Sequence, residues 1–140
     1  MANEPITLNI KKSDREIYNN ILENSPLKGR SNKEAFLLAA VVGFKKGQRI
    51  SISGNKESYV RTEYLNDDDR VLINAIAIKE TEKIEIIQDK KEVFNIIEEY
   101  AHGGLISLKE MVFDKDAGSF LKKFEAYLRE ECLPPEEKRK

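Results

Sequence analysis

The sequence predicts a mainly α-helical chain that opens with one β-strand. Three observations carry that fold class. Residues 6–11 alternate apolar and polar with a period of two. Serine and glutamate stand three residues apart at Ser13/Glu16 and Ser31/Glu34, each ahead of an apolar stretch, the signature of a helix start. Beyond Asn66, apolar residues recur at spacings of three and four as far as Leu128, the repeat of one helix face.

The elements follow in order. In "ITLNIKK", Ile6, Leu8 and Ile10 fall on one face of a strand and Thr7, Asn9 and Lys11 on the other. The Ser13 box opens a helix with Ile17, Ile21 and Leu22 on its inner stripe and Tyr18 beside them. Pro26 and Gly29 stop it in "NSPLKGR". The Ser31 box opens a second helix that is apolar on all sides from Ala35 to Val42. Such a helix needs cover from several directions, and a second copy of the chain is the simplest cover. "GFKKGQR" ends it: Gly43 or Gly47 supplies the stop, and the last-turn lysines Lys45 and Lys46 suit the helix dipole. A phosphate loop needs different glycine spacing and a preceding strand.

Residues 49–64 read as a small hairpin around "SGNKES". Asn66 then caps a helix whose first turn holds Asp67, Asp68 and Asp69 and whose apolar residues are Val71, Leu72, Ala75, Ile76 and Ile78. Carboxylates belong at that helix end, and three consecutive positions diverge around a helix, so no metal site is expected. Asp89 caps a further helix with Val93, Phe94, Ile97, Tyr100 and Ala101, ended by "HGG". "LISLKEMVF" forms a separate short helix with Leu105, Leu108, Met111 and Val112 on one side. Phe120, Phe124, Tyr127 and Leu128 mark a last one, and 134–140 form a polar tail. The organisation is therefore a module over 1–48, a helical part over 49–133 packed on it, and the tail.

Function classes narrow by composition. Hydrophobic residues make up 40% and charged residues 35%, a globular balance. The lone Cys132 excludes an internal disulfide framework and fits a reducing compartment. No apolar run reaches the length of a membrane span, and "MANEPITLNI" lacks signal-peptide character, so a cytoplasmic location is expected. The net charge of −1 divides into +4 over residues 1–60 and −5 over 61–140, which points an anionic partner, if any, at the first part. Catalytic chemistry finds little purchase. His102 is the only histidine and sits at an expected helix end, where it caps carbonyls. Glu98 and Glu99 are helix neighbours and face apart. No enzyme activity and no cofactor are expected.

Strand, helix, turn and helix over residues 5–46, with "GRSNKEA" opening the second helix, resemble a ribbon–helix–helix module. The resemblance implies two chains pairing their strands into a ribbon that enters the major groove of DNA. Thr7, Asn9, Lys11 and Lys12 would then face the duplex. The second helix's start, with Ser31, Asn32 and Lys33 and nearby Lys28 and Arg30, would hold phosphate. Ribbon readers often carry strongly basic strands, whereas only Lys11 and Lys12 are charged here. A longer stretch is similar to the Dnd system-associated protein 4 family, which accompanies DNA phosphorothioation and its linked restriction, a defence against foreign DNA. It is carried by Gly43, Phe44, Lys45, Gly47 and Arg49, and by Glu98, Glu99, Tyr100, Ala101, Gly103, Gly104 and Leu105 in "EEYAHGGL". Together the two resemblances imply a non-enzymatic DNA-binding accessory subunit of such a system, with double-stranded DNA, from the ribbon-like segment, and other defence-system proteins as partners. It is expected to be a homodimer or larger, without a membrane role. The alternative is a protein-interaction subunit that contacts no DNA.

Overall fold

The computed structural model describes residues 4–113. The chain opens with strand β1 (Thr7–Lys11). Leu8 and Ile10 are buried, while Thr7, Asn9 and Lys11 lie half-buried on the other face, as the alternation requires. Ile6, expected on the inner face, is 73% exposed. It precedes the strand, and its carbonyl is tied to the Thr62 N–H at 2.9 Å, beyond the reach of the core. Strand β2 (Lys56–Arg61) pairs antiparallel with β1, from Thr7 opposite Arg61 to Lys11 opposite Lys56. A bulge between Leu8 and Asn9 leaves Tyr59 as the extra residue on β2.

Two expectations change with this pairing. Residues 49–64 do not fold back as their own hairpin; Gly54, at φ +88°, supplies a turn and the chain then runs along β1. The strand's partner is thus in the same chain, so an unpaired strand no longer argues for a dimer.

Helix α1 (Asp14–Asn24) buries Tyr18 and Ile21. Its expected capping box is not formed: Ser13 makes no side-chain cap bond and already has helical backbone angles (φ −70°, ψ −16°), whereas a capping residue is extended. The end is closed by Ser25, whose Oγ donates to the Ile21 carbonyl at 2.6 Å. Helix α2 (Asn32–Lys45) forms the Ser31–Glu34 box in both directions. Residues 35–43 are all buried. The cover expected from a second copy comes from within the chain, from α1, from β2 and above all from α4.

Helix α3 (Asp67–Thr81) starts on a reciprocal Asn66–Asp69 box. Its core face is Ile73, Ile76 and Ala77, rotated from the expected stripe; Val71 is 68% exposed and Ala75 is also on the outside. The i, i+3, i+4 set that wins is the one turned to the core rather than the most apolar-looking row. Glu82 ends α3 in a left-handed conformation, and a 3-10 turn (Ile84–Gln88) leads on. Helix α4 (Lys90–Val112) is one continuous helix of 23 residues. It passes straight through His102, Gly103 and Gly104, where a stop was expected, and absorbs the short helix read in "LISLKEMVF". The expected helix around Phe120–Leu128, Cys132 and the 134–140 tail lie outside the described residues.

Candidate functional site

The glycines explain why α4 does not stop. A Cβ on Gly104 would overlap the Ala39 carbonyl and the Gly43 backbone; one on Gly43 would overlap the Tyr100 carbonyl. The two helices therefore cross backbone to backbone at Gly43 and Gly104. Gly103 serves the same purpose against the Gln48 carbonyl. Of the two glycines in "GFKKGQR", only Gly47 is in a left-handed conformation (φ +67°), and it turns the chain out of α2. Gly43 is a packing residue, and the helix stop falls to Gly47.

Past the turn, the chain is fastened to α3 and α4. The Gln48 N–H donates to the Gly43 carbonyl at 2.7 Å, and Ser107 Oγ to Gln48 Oε1 at 3.0 Å. Arg49 donates to Glu99 on α4 and Glu80 on α3, both at 2.6 Å. Tyr100 donates its hydroxyl to the same Glu80. This hydrogen bond and the Arg49 pair hold the Glu80 carboxyl below its ordinary range against the effect of burial. Burial and the Glu80 charge push the Tyr100 phenol up to about 12. Burial opposes the charge on Arg49, but its bonds to Glu80 and Glu99 outweigh it. With every Arg49 contact a carboxylate, Arg49 is a structural clamp between the exit of α2 and the helices α3 and α4.

The residues expected to meet DNA fall into two groups. On β1, Thr7 Oγ1 donates to Asn9 Oδ1 at 2.9 Å. The Asn9 N–H donates to Glu98 Oε2 at 2.8 Å, and Glu98 also pairs with Lys56 at 3.0 Å. Lys11 lies opposite Lys56, and Lys12 is exposed. At the start of α2, Ser31 Oγ accepts from the Glu34 N–H, and the Glu34 carboxylate accepts from the Ser31 N–H, both at 3.2 Å. Arg30 pairs with Glu34 at 3.2 Å and Lys33 with Asp69 at 2.8 Å. The bond from the Ser31 backbone leads the causes holding the Glu34 carboxyl low. A carboxylate thus occupies the helix end where a phosphate was expected. Lys28 and Asn32 are exposed.

Thr7 and Asn9 line an open cleft of about 500 Å³ between the two strands and the first half of α4; Lys56, Lys91, Glu92 and Glu98 stand around it. No residue of 28–33 lines it. Glu98, read from the sequence as a helix neighbour facing away from Glu99 and as part of the family-like "EEYAHGGL" stretch, joins this cleft as a buried carboxylate. It is 6% exposed and sits at i+4 from Phe94 and i−3 from Ala101, inside the apolar stripe. A carboxylate in that row is the signal of a buried partner. His102 was misplaced: its Nδ1 lies 2.6 Å from Oδ2 of the buried Asp14, fastening α4 to α1 rather than capping a helix end.

A family model described as DNA sulphur modification system-associated protein 4 matches residues 9–139. The chain belongs to this family. No match to a curated protein or to a solved structure was found. Membership makes the chain an accessory protein associated with a DNA sulphur modification system. The two segments that carried the family resemblance in the sequence, 43–49 and 98–105, are the two sides of the α2–α4 crossing and its Arg49 clamp. Among the described residues, no helix is long and apolar enough to cross a membrane.

Proposed function

We propose that the chain is a non-catalytic protein-interaction subunit of a DNA sulphur modification system, one that gathers other proteins of that system and does not grip DNA itself. The observation that supports this reading is the pairing of its cations. Arg30 and Lys33, at the expected phosphate site, are bound to Glu34 and Asp69. Phosphate contacts dominate affinity for duplex DNA, and a cation already held by a carboxylate contributes little to them. On β1, the Asn9 N–H is already taken by the buried Glu98, which also pairs with Lys56, so that cation too is answered by a carboxylate.

DNA binding keeps one specific argument: Lys11, Lys12 and Lys28 make no ion pair among the described residues. A gel shift on random duplex at low salt, alongside co-purification with the system's other proteins, separates the two. The interaction reading expects no shift and a stable complex. A shift that weakens with salt and loses about one unit of salt slope in Lys11→Ala overturns it in favour of DNA.

A further inference from the structure

We propose that the outer face of α3 pairs with the same face of a second copy of the chain, the two helices running antiparallel about a two-fold axis. The inference goes beyond the interaction reading above and does not depend on it. It starts from the apolar row that the sequence offers as the core stripe of α3 and that the fold leaves outside. Ile73, Ile76 and Ala77 turn inward, while Val71 is 68% exposed and Ala75, one turn on, is exposed as well. A helix apolar on both sides has a second surface to cover. Exposed apolar residues scattered singly need no explanation, but large ones collect along this element. Tyr64 stands just ahead of it at 64% exposure, Val71 on it, and Ile84 just past its end at 65%.

The row itself selects the occupant. Asp67, Val71, Ala75 and Lys79 follow at intervals of four, which stacks them along one side of the helix. The row is balanced about Ile73: Val71 and Ala75 lie two residues to either side of it, Asp67 and Lys79 six. A two-fold axis at the level of Ile73 therefore sets Val71 of each copy on Ala75 of the other, a large side chain against a small one. The same axis sets Asp67 of each copy against Lys79 of the other. A two-fold contact requires a surface that complements itself in this way; a parallel pair would put acid on acid and base on base. Both charges are available for it. Asp69 is held by Lys33 at 2.8 Å, whereas Asp67 and Lys79 are exposed and make no ion pair among the described residues. A single helix pair covers less than the roughly 800 Å² per partner of a standard stable interface, so the dimer is a reversible one whose population rises with concentration.

Sedimentation equilibrium of the full chain over a dilution series tests this. The wild type is expected to pass from monomer to dimer. Val71→Arg, at an exposed position, should abolish the rise in mass. Asp67→Lys and Lys79→Asp should each weaken association about tenfold or more, because each sets two like-charge pairs across the axis. The double variant Asp67→Lys/Lys79→Asp restores both pairs in reversed order and should recover the dimer. Circular dichroism melts confirm that the variants fold. A wild type that stays monomeric at millimolar concentration overturns the proposal. So does a dimer that Val71→Arg leaves intact, or one that the double reversal fails to restore. A monomeric wild type whose co-purified protein is lost in Val71→Arg gives the row to a different partner, which overturns the self-pairing and leaves the interaction reading standing.

Discussion

At the scale of the residue, glycines show how one amino acid answers to two different demands. Gly43 and Gly104 are there because a backbone lies where a Cβ would be; Gly29, at φ +89°, has open space around it and is there for its conformation. Gly43→Ala and Gly104→Ala must push two helices apart and are expected to cost about 1–3 kcal/mol or more. Gly29→Ala meets only left-handed strain, roughly 1–2 kcal/mol. Urea denaturation of the three variants checks this, and a Gly104→Ala milder than Gly29→Ala would count against the close crossing. The sequence could not separate these roles, because a glycine pair after "EYAH" reads equally as a helix stop. What did lie in the sequence was the unbroken apolar spacing from Ile97 through Ala101, Leu105, Leu108 and Val112, which a true stop would have interrupted.

At the scale of the element, helix starts were the most legible feature, and their failure at one site is instructive. Ser31–Glu34 and Asn66–Asp69 form full boxes, while Ser13 forms none. Ser31→Ala and Asn66→Ala are each expected to lower stability by about 1 kcal/mol. Ser13→Ala should leave it nearly unchanged. Equal losses at all three sites, read from thermal melts, would show that Ser13 caps α1 after all. The strand partner of β1 was not legible, because a ladder between residues 7–11 and 56–61 is set by how α1 and α2 return the chain, not by any local pattern. The same holds for Glu98: its place in the apolar row marked it as buried, but only the fold brings Asn9 and Lys56 to it. Of the expected DNA-facing set, the sequence placed Thr7, Asn9 and Lys11 on one face correctly. It could not show that Arg30 and Lys33 would be answered by carboxylates, one of them 36 residues away in Asp69.

At the scale of the molecule, the Arg49 clamp joins the exit from α2 to α3 and α4, and its ionisation gives stability a defined dependence on pH. The folded state holds the Glu80 and Glu34 carboxyls below the ordinary value of 4.5. The unfolded chain therefore binds protons more readily there, so the stabilisation is full above about pH 4.5 and is lost as pH falls through the folded values. Tyr100 works in the opposite direction. Its folded value of about 12 lies above the ordinary 10.0, so its contribution is full below pH 10 and disappears as pH rises from 10 to 12. Glu80→Gln should flatten the acid limb of a plot of melting temperature against pH, and Tyr100→Phe the alkaline limb. Glu34→Gln should flatten part of the acid limb and leave the alkaline limb unmoved, since it belongs to the α2 cap and not to the clamp. Arg49→Met keeps the stem of the side chain but removes the shared donor, so it should cost about 1–3 kcal/mol at neutral pH and also change the acid limb. If Arg49→Met shifted the whole profile downward without altering either limb, the coupling of Arg49 to the ionisation of Glu80 would be wrong, and Arg49 would hold the loop after α2 through Glu99 instead.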